Sequence, residues 1–147
     1  IRVVTCASPG YLASHGTPRT PHELSAHNCL TVPSGGFENR WRFDGPDGAI
    51  TVQVQGNYRS DSGDLLRAAA LAGQGIVYLP TFIVGEELAR GELVPILREW
   101  QTPSIEARVV YPTRRFVSAK VRAFTEFLQR EFAGEPEWDR WMSGPAN

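Results

Sequence analysis

Short hydroxyl and carboxylate side chains sit at three places where a helix is set to begin: Ser8 before Pro9, the run Ser60-Asp61-Ser62-Gly63-Asp64, and Thr81 after Pro80. Such residues could act on a substrate, which needs a nucleophile with a base, a carboxylate pair or a metal set. They could instead hold a small molecule against the unpaired N–H groups of a helix N-terminus. The residues suit the first role poorly. Ser62 lies in Asp61-Ser62-Gly63, which is not the Gly-x-Ser-x-Gly elbow of a serine hydrolase. His15, His22 and His27 fall in early segments with no route to it, and they lack the spacings of a metal site. Asp61 and Asp64 flank a helix start, where aspartate caps the helix and complements its dipole. Cys6 and Cys29 are too few and too far apart for zinc, and two buried, reduced thiols are expected. We therefore expect no catalysis, no cofactor and no metal, and a ligand site drawn from Ser8, Ser60, Asp61, Ser62, Gly63, Pro80 and Thr81. Three helix N-termini facing one cleft would favour a carboxylate or another anion, while the charge of Asp61 pulls the other way.

Those helix starts must be positioned by alternating helices and strands. Val3 to Cys6 reads as a short strand, and Ser8-Pro9 opens a helix through Tyr11 and Leu12 that ends near Gly16. Thr20-Pro21-His22-Glu23 reads as a capping box for a short helix over about Pro21 to Ala26, with Leu24 as its core contact. Leu30 to Val32 is a strand, broken by Pro33-Ser34-Gly35-Gly36. Arg40 to Phe43 and Ile50 to Val54 alternate around the Asp44-Gly45-Pro46-Asp47-Gly48 turn. That predicts an antiparallel hairpin with Trp41 and Phe43 packed beneath it rather than stacked on a ligand.

A further strand over Asn57 to Ser60 leads to the central helix, about Ser62 to Ala72, with Leu65, Leu66, Ala69 and Leu71 as apolar contacts and Gly73 as its left-handed stop. Ile76 to Leu79 is apolar throughout, as in a strand covered on both faces. Thr81 opens a helix that Gly91 stops, Leu93 to Leu97 returns as an edge strand interrupted by Pro95, and Ala107 to Tyr111 is the last strand. Ser118 caps a final helix whose Val121, Phe124, Phe127, Leu128 and Phe132 share one face. Arg114, Arg115, Lys120 and Arg122 near its start read as solvated charges. After Gly134-Glu135-Pro136 the tail is expected to be mobile, with a docking helix built on Trp138 and Trp141 as the second reading.

A chain of 147 residues can bury one sizeable core or two small lobes. Its formal net charge of -1 gives no basic footprint for gripping a phosphate backbone. No apolar run is long enough to span a membrane, and Ile1-Arg2-Val3-Val4 lacks the shape of a signal peptide, so a cytoplasmic address is expected. Without an initiator Met, the chain is expected to begin inside a longer gene product.

Ser60 to Leu79 and the run Leu88-Ala89-Arg90-Gly91-Glu92-Leu93-Val94-Pro95-Ile96-Leu97 after it carry a resemblance. So do Cys6-Ala7-Ser8-Pro9-Gly10-Tyr11-Leu12, then His27-Asn28-Cys29-Leu30, and Tyr111-Pro112 followed by Lys120-Val121-Arg122-Ala123-Phe124. Taken in chain order they resemble the effector-binding (substrate-binding) domain of LysR-type transcriptional regulators over most of residues 1 to 133. The resemblance implies an α/β fold of the periplasmic-binding-protein-like (type 2) kind, with two lobes joined by crossing strands and the effector held between them. Residues 5–106 would then be a complete lobe two with a mixed sheet flanked by helices. Residues 1–4 and 107–133 would be a crossing strand and a remnant of lobe one, and 134–147 a C-terminal tail. The implied function is small-molecule effector sensing that biases a dimeric or tetrameric regulator, with DNA contacted only through a helix-turn-helix absent from this sequence, and with no membrane. Asp61 stands where similar members often carry Asn, which leaves the effector's identity open. A stand-alone solute-binding receptor of similar fold is the alternative. The lobe-one remnant, with its open strand and apolar helix face, is expected to pair with a second copy.

Overall fold

The computed structural model describes residues 1–33, 38–46, 48–110 and 118–142. Ser34, Gly35, Gly36, Asp47, Tyr111, Pro112, Arg114 and Arg115, named above, lie outside them. In chain order the elements are β1 (Val3–Ala7), α1 (Pro9–His15), a 3-10 helix (Pro21–Ala26), β2 (Cys29–Leu30), β3 (Arg40–Gly45), β4 (Gly48–Gln53), α2 (Gly63–Leu71), β5 (Ile76–Pro80), α3 (Thr81–Arg90), β6 (Val94–Pro95), α4 (Ala119–Glu131) and a second 3-10 helix (Glu137–Met142).

One mixed sheet has the order β2-β5-β1-β6. β2 and β5 run parallel, with Cys29 opposite Ile76. β1 runs antiparallel to β5, with Val3 opposite Pro80 and Cys6 opposite Val77, and β6 pairs antiparallel with β1 at its edge. Both faces are covered, which explains the unbroken apolar run of β5. On one face Val3, Ala7, Ile76 and Tyr78 join Tyr11 and Leu24, together with Trp41, Phe43 and Val52 of the β3–β4 hairpin. On the other, Cys6, Val77 and Leu79 join Leu66 and Ala70 of α2 and Val84 and Leu88 of α3. Trp41 is 1% exposed and stacks on Tyr78, with ring centroids 5.2 Å apart, and Phe43 meets the same ring edge-on. The Tyr78 hydroxyl donates to the carbonyl of Arg42 at 2.8 Å. Those two aromatics are core, as their alternation with arginines predicts.

Several expectations change. Thr20 does not close a capping box, and the helix after it is 3-10. Glu23 accepts instead from the Arg19 N–H at 3.0 Å and the Thr20 hydroxyl at 3.1 Å. The strand over Asn57 to Ser60 shrinks to a single bridge between Thr31 and Arg59, because β2 is only two residues long and offers no longer ladder. Residues 107–110 are not a strand and pair with no strand among the described residues. Along α2, Leu66 and Ala70 are buried four residues apart, whereas Leu65 and Leu71 are exposed, so a single face of the helix meets the sheet. Gly73 and Gly91 stop α2 and α3 with φ of 75° and 73°. α4 begins at the Ser118 cap but buries none of its residues.

The C-terminal segment is ordered against α3. Trp138 meets Phe82 edge-on at 6.3 Å, Trp141 packs on the second core, and Asp139 is 2% exposed. A β-carbon at Gly85 would lie 2.3 Å from the carbonyl oxygen of Trp138, so glycine alone permits this approach. Up to Met142, the last described residue, the tail follows the docking-helix reading.

Candidate functional site

The carboxyl ends of β2 and β5 and the start of antiparallel β1 lie at the same end of the sheet. Ser60 is pinned there by its N–H, which donates to the Thr31 carbonyl at 3.1 Å. Its hydroxyl accepts from the Ser62 N–H at 3.1 Å, and the Ser62 hydroxyl caps α2 by accepting from the Leu65 N–H at 3.4 Å. Helix geometry leaves the N–H groups of Gly63 and Asp64 without intrahelical partners, and they face outward from the helix start. Asp61 is exposed beside them.

The start of α2 is braced against α3. A β-carbon at Gly63 would meet Ile83 Cδ1 at 2.4 Å. Arg67 ties the two helices together: its guanidinium lies 3.3 Å from Asp64 and 3.4 Å from Glu87, and it donates to the Ile83 carbonyl at 3.3 Å. The turn is thus a fixed polar rim with backbone donors, suited to holding oxygen atoms of a small ligand.

Two of the expected site segments are placed differently from their sequence reading. Thr81 is not a cap. Its N–H and hydroxyl both donate to the Arg2 carbonyl, at 2.9 and 3.3 Å, and it is 1% exposed. Pro80 occupies the N-cap position and offers no side-chain hydrogen bond. Thr81 therefore spends its hydroxyl on fixing α3 to the entering chain.

Ser8 lies at the opposite end of the sheet. It is the cap of α1, accepting from the Tyr11 N–H at 3.3 Å. Its hydroxyl sits 3.7 Å from where a β-carbon of Gly73 would be, past the C-terminus of α2, while Ser62 stands at that helix's N-terminus. A helix of this length is roughly 13 Å long. The three helix starts do not converge, because β1 runs against β5 and carries Ser8 away from the end where Ser60 and Thr81 lie.

Among the described residues Ser62 has no histidine beside it to act as a base. His15 Nδ1 lies 3.2 Å from the Tyr11 carbonyl and His27 Nδ1 3.2 Å from the Tyr11 hydroxyl, both by α1 and remote from Ser62. Burial, and after it the charge of His15, pushes His27 below its usual value. Burial, with Glu87 adding to it, pushes the Cys6 thiol far up, and burial raises Cys29 to about 12. Both cysteines are buried and free, and such thiols are poor nucleophiles. Among the described residues no three His, Cys, Asp or Glu side chains group to hold a metal, and no helix is long and apolar enough to cross a membrane.

One feature of this end escaped the sequence reading. Beyond Arg2, on the β6 side of β1, a cleft of about 560 Å³ opens between the entering strand, the chain around Arg98 to Thr102, and Trp141 with Met142. It shares Thr81 with the rim but none of Ser60 to Gly63. Its walls come from three distant stretches of chain; the tryptophan pair of the tail was the one local signal.

A family model described as the LysR substrate binding domain matches residues 1–133. The HTH-type transcriptional regulator CrgA of Neisseria meningitidis serogroup B is 36% identical over 126 residues, covering 85% of this chain and 42% of CrgA. DmlR of Escherichia coli, another HTH-type transcriptional regulator, is 35% identical over 131 residues, with 88% and 42% covered. The chain thus spans less than half the length of these relatives. The solved structure of CrgA, a LysR-type transcriptional regulator, superposes with a TM-score of 0.71 at 36% identity, covering 90% of this chain and 45% of CrgA. The regulatory domain of AphB from Vibrio vulnificus shares the fold, with a TM-score of 0.69 at 22% identity and 88% and 64% covered.

Proposed function

Because the chain belongs to the LysR substrate-binding domain family, we propose that it is the effector-sensing part of a LysR-type bacterial transcriptional regulator working in the cytoplasm. In this reading residues 5–106 form lobe two, 1–4 and 107–133 belong to the crossing strand and lobe one, and 134–147 are a tail. The small-molecule effector rests against Ser60, Asp61, Ser62 and Gly63 beside Pro80 and Thr81. Binding biases the arrangement of a dimeric or tetrameric regulator whose DNA contacts are made by a helix-turn-helix. Ser8 is left out, since it stands at the other end of the sheet.

The observation that supports the reading is the first turn of α2, capped by Ser62 and braced by Ser60 at the end of the sheet where β2 and β5 finish. It is tested by nuclear magnetic resonance of the chain during a screen of small organic acids and their neutral analogues. Shift changes from a saturating hit are expected to centre on Ser60 to Gly63 and on Thr81. Changes confined to the β3–β4 hairpin, or to Ser8 and α1, would overturn the assignment.

A further inference from the structure

We propose that the cleft between Arg2 and Arg98 is a second ligand site, separate from the Ser60–Gly63 rim, which takes a carboxylate with an apolar body. The first observation is an unmet hydroxyl. Thr5 lines the cleft and is 2% exposed, yet among the described residues its Oγ1 has no hydrogen-bond partner. A buried hydroxyl left in that state lowers stability, and turning the Thr5 side chain toward the cleft would let it bond an oxygen brought by a ligand.

The second observation is a strained turn. Leu97 has φ of 56°, the one positive value among the described non-glycine residues, and leucine is a residue that resists it. That conformation buries Leu97, is closed by the Trp100 N–H donating to the Leu97 carbonyl at 2.9 Å, and leaves Arg98 exposed at the rim. Strain of this kind persists where the surrounding structure fixes a residue for a task.

Charge then selects the ligand. The described lining residues include two arginines and no aspartate or glutamate. Arg2 already reaches Asp139 at 3.7 Å and the Met142 sulfur at 3.2 Å, so part of its charge is spent on the C-terminal 3-10 helix. Arg98 makes no ion pair among the described residues. A guanidinium recognises a carboxylate through two parallel hydrogen bonds, and the remaining wall, Val4, Ile96, Trp100 and Trp141, suits an apolar body. Trp141 and Met142 lie beyond residue 133, where the family match ends, so this part of the lining comes from the chain's own C-terminal segment.

The test uses 3-phenylpropionate as probe and its amide as uncharged control, with titration calorimetry and the fluorescence of Trp100 and Trp141 as readouts. Saturable binding of the acid is expected, at least tenfold tighter than the amide and at least tenfold weakened by Arg98→Gln. Thr5→Val is expected to raise the melting temperature of the free protein, by removing the unmet hydroxyl, while weakening binding severalfold. Ser62→Ala should leave this binding unchanged, which separates the cleft from the sensing rim. No saturable binding, equal binding of the amide, or unchanged affinity in both the Arg98 and Thr5 variants would overturn the proposal. Loss of binding in Ser62→Ala alone would place the carboxylate at the rim and equally end it.

Discussion

Tyr11 shows how one side chain can fix several others. Its hydroxyl accepts from the Asn28 N–H at 3.0 Å, which leaves its proton to donate to His27 Nδ1, and its ring stacks on His15 at 4.4 Å. The bond requires a neutral His27, and burial already favours that form. The folded pKa lies below the ordinary 6.5, so as pH falls past that value the unfolded chain takes up a proton that the folded chain refuses. The contribution of His27 to stability is therefore present above about pH 6.5 and is lost as pH falls below it. Denaturant titrations between pH 7.5 and 5 should show this loss, and His27→Gln, which can still accept from Tyr11, should flatten it; an equal slope in the variant would refute the assignment. At this scale the sequence was legible where a residue's task is local. Ser8, Ser62 and Ser118 all cap as their neighbours predict, since capping depends on the next three residues. Thr81 was misread because its partner, the Arg2 carbonyl, is remote in sequence.

Elements were legible by period and by punctuation. β5, α2 and α3 follow from an apolar run, small capping residues and the glycines after them. Which face of α2 would be buried was not legible, because Leu65, Leu66, Ala69, Ala70 and Leu71 are all apolar enough to serve. The direction of β1 decided where the helix starts lie, and strand direction leaves no mark in composition. The docking of the C-terminal 3-10 helix makes its own prediction. Gly85→Ala would ordinarily favour a helix by up to about 1 kcal/mol. Here the added methyl meets the backbone of Trp138 and cannot be relieved by a side-chain rotation. The variant should release the segment, seen as faster trypsin cleavage after Arg140 and a red shift of tryptophan emission. Unchanged cleavage with a higher melting temperature would show that the contact contributes little.

At the scale of the whole molecule, α4 carries several exposed apolar side chains. Phe124 and Phe132 are 57% and 63% exposed, with Val121 and Phe127 beside them. Covering one such side chain is worth roughly 1.5 to 3 kcal/mol. The strand once expected over residues 107–111 no longer contributes, so the prediction of self-association rests on this helix alone. Light scattering across a dilution series should show a dimer at high concentration that Phe124→Asp dissociates; a monomer throughout, in both proteins, would refute it. β1 carries one more consequence, for the order in which the molecule is made. Of the described elements it is synthesised first, yet its neighbours in the sheet are β5 and β6, and the residue before it is gripped by Asp139. On the ribosome this strand stays without a sheet partner until β5 has been made, and refolding should be slow for a protein of this size, since β1 pairs only with strands far along the chain.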